Sequence, residues 1–433
     1  MLNKVLNNML KGDKVIWMVF FFLCIISIIE VYSASSQLTY KAGNYLGPIT
    51  KHTFLLLLGV VCMWAISYIP CRYFKTLTPF ALAFAFLSLV IVLIIGASTN
   101  GAQRWITLGP IQFQPSEVAK GAMVLTTAQI LSALQTEQGA DRNAFKYILI
   151  VCGVIIPLIM KENFSTAFLL CAVIFMMMLI GRVPMRQLGK LLGIAALGIT
   201  LFISTIMVFG RDESTIDKKT TLTETAVQQS GNKEKEGLVD KILPRLDTWK
   251  SRIDKFLSNK KIAPKDVDLD KDAQVAHANI AIASSNVVGK GPGNSEERDF
   301  MSQAYSDFIY AIIIEEMGVE GAIFVAMLYI ILLVRTGRIA HRCENNFPAF
   351  LAMGLALLLV TQAIFNMMVA VGLAPVTGQP LPLISRGGTS SIINCAYIGV
   401  ILSVSRSAKK GTLSRAAEIA ILDSGAWRPV SDG

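Results

Sequence analysis

The chain has 433 residues, of which 53% are hydrophobic and 16% charged, with a formal net charge of +10; its mean hydropathy is +0.54. An ordinary soluble protein of this length is less apolar, so a polytopic membrane protein is expected and length does not count domains. The Lys and Arg residues lie in short loops between apolar runs, which is a topology signal, and no nucleic-acid partner is expected.

A helical span needs about 17–25 apolar residues. Ten runs are read as spans: 15–34, 52–70, 77–97, 116–134, 145–160, 164–181, 188–209, 307–334, 348–371 and 388–405. The first lacks a small-residue cleavage site and reads as a signal anchor. The fifth and sixth are short and separated only by Lys161-Glu162-Asn163, so one merged helix is the alternative. Charge decides between them. Ten spans put Lys11, Lys14, Arg72, Lys75, Arg142, Lys146, Arg182, Arg186, Lys190, Arg335, Arg338, Arg342 and Arg406 on the inner side, as the positive-inside rule asks. Nine would move Arg182, Arg186, Arg335 and Arg338 outside. The expected fold is therefore all-α and polytopic, with both termini cytoplasmic. Residues 1–209 hold helices one to seven, 210–306 form a large extracytoplasmic loop, 307–408 hold helices eight to ten, and 409–433 form a cytoplasmic tail.

Within the large loop, 211–236 is too polar to fold alone. Leu238, Val239, Ile242, Leu246, Trp249, Ile253, Phe256 and Leu257 recur at helical spacing. They predict an amphipathic helix on the outer leaflet or a small soluble subdomain. The seven cysteines lie in or beside apolar runs with no CxxC pair, and neither a disulfide framework nor a cysteine metal site is expected.

Polar clusters collect on the outer side. Asp307 stands where the large loop meets span eight; it is either the cap of that helix or a functional carboxylate at the membrane surface. Arg104 lies in Asn100-Gly101-Ala102-Gln103-Arg104-Trp105-Ile106. Glu117 and Lys120 open span four at a spacing that makes them face each other on a helix, as a structural ion pair or as part of a site. Lys161-Glu162-Asn163-Phe164-Ser165-Thr166 reads as a solvated turn. Gly289-Lys290-Gly291-Pro292-Gly293-Asn294-Ser295 is either a flexible turn or a nest of N–H groups for a phosphate; it is no Walker A loop. Residues 375–391 interrupt membrane-depth sequence with Gly378, Pro380, Pro382, Ser385, Arg386, Thr389 and Ser390, and such backbone has to be buried in protein or line a polar cavity. Glu315-Glu316 fall about 12–14 Å below Asp307 along the helix and call for a Lys or Arg partner, or for a proton path.

These clusters, in this order, resemble the SEDS family (shape, elongation, division and sporulation) over nearly the whole chain to Arg406. Within it the chain is more similar to the septal FtsW branch, of the Bacteroidota type, than to RodA. It departs from the common pattern at Asn163, at Tyr305-Ser306, at Arg386 and at Ser302-Gln303. The resemblance implies a peptidoglycan glycosyltransferase of the bacterial inner membrane, with its site on the periplasmic face. It would polymerise lipid II and release undecaprenyl pyrophosphate. Asp307 matches the essential carboxylate, as general base or as a ligand for a divalent cation such as Mg or Mn. Arg104 and Arg386 would hold pyrophosphate, with Glu117, Lys120, Asn294, Ser295, Ser385, Thr389 and Ser390 binding substrate or supporting the site. The implied partners are a class B penicillin-binding protein supplying transpeptidation and other divisome membrane proteins, at the septum. The competing readings are a lipid II flippase, a non-catalytic division scaffold and a RodA-like elongation role.

Overall fold

The computed structural model describes residues 11–34, 47–95, 97–99, 102–108, 111–209, 273–301 and 304–423. The amphipathic segment expected between 238 and 257, and the polar stretch before it, lie outside them. The helices are α1 (Lys14–Ala34), α2 (Gly47–Ser67), α3 (Cys71–Ile95), α4 (Pro115–Ala133), α5 (Arg142–Glu162), α6 (Phe164–Ile180), α7 (Met185–Phe209), α8 (Ala273–Ser284), α9 (Ile309–His341), α10 (Asn346–Ala370) and α11 (Thr389–Asp423). A helix thus stands at each of the ten expected segments. Among the described residues seven are long and apolar enough to cross a bilayer: α1, α2, α3, α5, α9, α10 and the first part of α11. The chain is a multi-pass membrane protein. The helix α8, which falls inside the large loop, had no counterpart in the sequence reading.

The all-α expectation needs one correction. Three short strands, β1 (Ala97–Thr99), β2 (Ala102–Leu108) and β3 (Ile111–Phe113), form an antiparallel sheet between α3 and α4. The register pairs Ile106 with Phe113 and Leu108 with Ile111, and the β-formers Ile106, Thr107, Ile111 and Phe113 favour paired strands there. A second hairpin joins β4 (Gln135–Thr136) to β5 (Gly139–Ala140).

Two compact units result: α7 with Gly372–Val376, and the rest of the described chain. In the larger unit, α4 is the central helix; Ser116, Glu117, Lys120 and Thr127 are all buried. Neighbouring helices approach it over small residues, as membrane bundles require: the Tyr397 ring covers Gly121, and Gly354 of α10 packs on Val124. The outward faces are apolar. Phe80 and Ile94 of α3 are 69% and 72% exposed, a surface stable against lipid tails and not against water. Between α5 and α6, Asn163 ends one helix and caps the next, accepting from Thr166 N at 3.3 Å. It is buried, so this is a helix cap inside the bundle and not the solvated turn expected from sequence.

At one end of α1, Asp13 caps the helix through Val15 N at 2.9 Å. Its other oxygen takes a two-pronged contact from Arg335 of α9, at 2.9 Å from Nε and 2.7 Å from Nη2, and its N–H donates to Ser405 of α11 at 2.9 Å. Toward the other end α1 carries a buried polar stripe, Ser27, Glu30 and Ser33. Both oxygens of Glu30 are buried without a hydrogen-bond partner among the described residues. An unpartnered buried charge is costly, so Glu30→Gln, which keeps shape and drops the ionisable group, is expected to leave stability unchanged or raised by about 1 kcal/mol. A thermal unfolding midpoint in detergent that falls clearly below the parent's would show that this carboxyl is needed.

Candidate active site

Residues 304–308 turn the chain into α9, whose N-cap is Phe308 without a side-chain cap bond. Asp307 precedes the cap and so does not serve as one. Its half-buried carboxylate accepts from Ser306 Oγ at 3.0 Å. It also looks onto Gly378, where an added methyl group would stand 3.5 Å from Oδ2. Gly378 has φ +68°, a conformation natural to glycine.

The irregular backbone from Thr377 to Ser391 is gripped from several helices, as polar backbone at membrane depth must be. Asn366 Nδ2 donates to Gln379 O at 2.7 Å and Gln362 Nε2 to Pro380 O at 3.0 Å, both from α10. The Tyr329 hydroxyl of α9 donates to Pro382 O, and Ser27 of α1 to Ile384 O at 2.7 Å. Gln379 Nε2 reaches Thr166 Oγ1 of α6 at 2.8 Å. Leu381 to Ser385 are buried, so this is no exposed re-entrant loop.

The loop in turn holds the Asp307 turn. Ser385 Oγ donates to Ser306 O at 2.6 Å, and Arg386 N to Tyr305 O at 3.0 Å. The Arg386 guanidinium lies 5.4 Å above the Tyr305 ring, a cation–π contact that brings a permanent cation to the segment bearing Asp307. Thr389 Oγ1 donates to Gln112 O of β3 at 2.8 Å, and Ser390 is buried at the start of α11. Arg104 stands on β2, next to the Ala97↔Trp105 pair; its side chain lies outside the described residues.

Glu117 and Lys120 form an ion pair of 2.8 Å, with side chains 3% and 1% exposed. Lys120 Nζ also donates to Gln362 Oε1 at 2.8 Å. Removing either partner would strand the other charge in a water-poor interior. Their route to Asp307 runs through α10: Lys120 to Gln362, Gln362 to Pro380, and one turn on, Asn366 to the Asp307 segment. Gln362, Asn366, Gln379 and Thr166 were missed by sequence reasoning. A signal existed for two of them, since Gln362 and Asn366 are polar at an i, i+4 spacing inside an otherwise apolar span.

The glycine-rich loop and Glu315-Glu316 belong together. Helix α9 breaks at Gly318, with φ +68° and ψ −172°. The break frees two carbonyls: Glu315 O accepts from Lys290 N at 2.9 Å and Glu316 O from Gly291 N at 2.8 Å. The side chains complete the dock. Glu315 pairs with Lys290 Nζ at 2.8 Å and accepts from Glu296 N and Ser295 Oγ. Glu316 accepts from Gly293 N at 2.9 Å, Ser295 N at 3.2 Å and the Ser33 hydroxyl, with Arg298 Nη1 at 3.8 Å. The hydrogen bond to Glu315 raises Lys290 above the ordinary lysine range. Five N–H groups, those of Lys290, Gly291, Gly293, Ser295 and Glu296, are thus occupied by α9, which leaves the loop a docked plug and not an open phosphate nest. Ser295 is buried at its core, while Asn294 is exposed and donates to Lys290 O at 3.0 Å.

No group of three or more His, Cys, Asp or Glu side chains converges among the described residues. Asp307 and Ser306 offer one carboxylate and one hydroxyl, the modest protein share typical of Mg2+ sites that rely on substrate phosphates and water. The residues present fit such an ion.

A family profile described as cell cycle protein, covering FtsW, RodA and SpoVE, matches residues 13–230 and 239–410. A probable peptidoglycan glycosyltransferase FtsW of Hahella chejuensis is 31% identical over 398 residues, 90% of this chain and 89% of the relative. The probable FtsW of Coxiella burnetii is 28% identical over 390 residues, 88% and 93% of the two chains. The peptidoglycan glycosyltransferase MrdB of Escherichia coli K12 is 25% identical, covering 90% and 93%. Among solved structures, a chain from a peptidoglycan synthase complex that coordinates polymerization and crosslinking superposes with a TM-score of 0.64 at 24% identity, covering 92% and 98%. Thermus thermophilus RodA does so with 0.60 at 21%, covering 92% and 98%. Matched by that profile over most of its length, the chain belongs to the FtsW, RodA and SpoVE family of cell cycle proteins, the SEDS family its motifs resemble.

Proposed function

We propose that this chain is a peptidoglycan glycosyltransferase that polymerises lipid II during septal wall synthesis. The observation that carries the reading is the seat of Asp307: a carboxylate at the mouth of the bundle, on a turn that two buried polar layers hold in place. In the reaction, Asp307 takes the proton from the 4-hydroxyl of the acceptor sugar as that oxygen bonds to the anomeric carbon of the donor. The bond from that carbon to undecaprenyl pyrophosphate breaks, and the leaving group carries off the electron pair. Arg386, and Arg104 from β2, neutralise the pyrophosphate. In the alternative role, Asp307 with the Ser306 hydroxyl would instead hold a divalent cation, Mg2+ or Mn2+, which would supply charge neutralisation at the same leaving group. Ser385, Thr389 and Ser390 support the loop that holds the Asp307 turn, and Asn294 and Ser295 support the glycine-rich loop docked on α9.

The pairing of Glu315-Glu316 with Lys290 and Arg298 speaks against the flippase reading, because these carboxylates dock a loop instead of lining a path. All ten helices that match the expected spans cross the inner membrane, with both termini cytoplasmic and the segment before α9 periplasmic, as the positive-inside rule supports. The partners are a class B penicillin-binding protein and other divisome proteins. Purified protein with its cognate penicillin-binding protein, and no other glycosyltransferase, is expected to build glycan from labelled lipid II. No polymer from a well-folded complex would bring back the flippase or scaffold. Localisation of a fluorescent fusion to the division site, and not along the side wall, tests the septal role.

A further inference from the structure

Asn366 lies one turn from the end of α10 and is 1% exposed. Its Nδ2 donates to two main-chain carbonyls from separate segments, Asp307 O at 2.8 Å and Gln379 O at 2.7 Å. A side-chain amide nitrogen carries two hydrogens, so both are used. Its Oδ1 is buried without a hydrogen-bond partner among the described residues. An acceptor left unsatisfied is a standing cost, so the two donations are what hold this side chain in place.

Three consecutive carbonyls of the Asp307 turn are gripped: Tyr305 O by Arg386 N, Ser306 O by Ser385 Oγ and Asp307 O by Asn366 Nδ2. The first two grips come from the loop. Only the third comes from a helix, and it falls on the residue whose carboxylate matters. The same nitrogen holds Gln379, next to the Gly378 that the carboxylate faces. Gln362, one turn earlier, repeats the pattern by joining Lys120 to Pro380.

We infer that Asn366 is a positioning residue for Asp307: it fixes the gap between the carboxylate and the Gly378–Gln379 turn. The inference rests on the reading of Asp307 as the catalytic base. A catalytic group displaced by about 1 Å can lose about a hundredfold in rate without loss of binding. The effect of Asn366 therefore belongs in kcat.

The test is steady-state polymerisation of labelled lipid II by the full chain with its penicillin-binding protein partner. Asn366→Asp keeps the shape and replaces both donors by an acceptor. The expected result is a fall in kcat of about a hundredfold with KM essentially kept. Asn366→Ser keeps one donor on a shorter side chain; it is expected to lose about tenfold in kcat, and it carries the test alone if Asn366→Asp does not fold. Parental kcat in either folded variant overturns the inference. So does a loss shared between kcat and KM that tracks a lowered unfolding temperature, which would mark a packing residue. Asp307→Ala runs alongside. If it polymerises normally, the base reading fails and the inference with it; if it is inactive while Asn366→Asp turns over like the parent, the inference alone fails.

Discussion

Asp307→Ala and Asp307→Asn are both expected to abolish measurable lipid II polymerisation while the protein inserts, folds and binds its partner as before. General-base assistance is worth about 10²–10⁴-fold, and a sugar hydroxyl is a poor nucleophile without it. The fold is expected to hold, because the grips described between this turn, the loop and α10 use the main-chain carbonyls of Tyr305, Ser306 and Asp307. Asn in place of Asp keeps the size and hydrogen-bonding outline and loses only the negative charge and basicity. Equal inactivity of the two variants therefore separates chemistry from shape. Polymer from either at the parental rate would move the reaction to another residue.

Gly318→Ala is expected to undock the glycine-rich loop and lower stability by about 4 kcal/mol or more. A methyl group at Gly318 would come within 2.1 Å of Val287 O and 2.6 Å of Gly289 N. Both are backbone atoms with no side chain to swing away. The pair φ +68°, ψ −172° falls in a region essentially reserved for glycine and alone adds roughly 1–3 kcal/mol for a residue with a Cβ. The stronger consequence is electrostatic. Once the loop leaves, the Glu315 and Glu316 carboxylates lose Lys290, Arg298 and three N–H donors together, and buried carboxylates stripped of their cations sit in the costly tail of mutational effects. Thermal unfolding in detergent and protease access to the 287–298 segment report the two halves of this effect. An alanine variant with parental values in both would mean that the break in α9 is not rigid.

Much of this arrangement was legible from residues alone, and the reasons for the exceptions are physical. Helices are set by local apolar runs, so each of the ten expected segments carries one. The separate starts of α5 and α6 were readable from charge. The sheet after α3 was not anticipated, because seventeen residues of mixed polarity at a membrane edge carry no periodic signal strong enough to compete with the spans on either side. For the site, Asp307, Glu117, Lys120 and Arg386 stood out because charge at membrane depth is conspicuous. Asn366, Gln379 and Thr166 did not. Their importance lies in which carbonyl they meet, and that depends on a Pro- and Gly-interrupted backbone whose path no pattern rule supplies. Glu315 and Glu316 show the same limit in reverse. The sequence left a cationic partner and a proton path both open, and that the partners come from the glycine-rich loop depends on the break at Gly318.

The double anchorage of α1 has a mechanical meaning. One end is pinned by Asp13 to Arg335 and Ser405. Near the other end, Ser27 holds the backbone of Ile384 and Ser33 holds Glu316 and Arg298. A hydrogen-bonded helix resists stretching and bends only gently without a kink, so α1 acts as a tie rod between the two faces of the bundle. Ile384 and the glycine-rich loop cannot shift independently along its axis, and a slide of either has to reappear as strain at the Asp13 joint. Whatever grips the chain at that far joint therefore has a rigid lever on the backbone that seats Asp307.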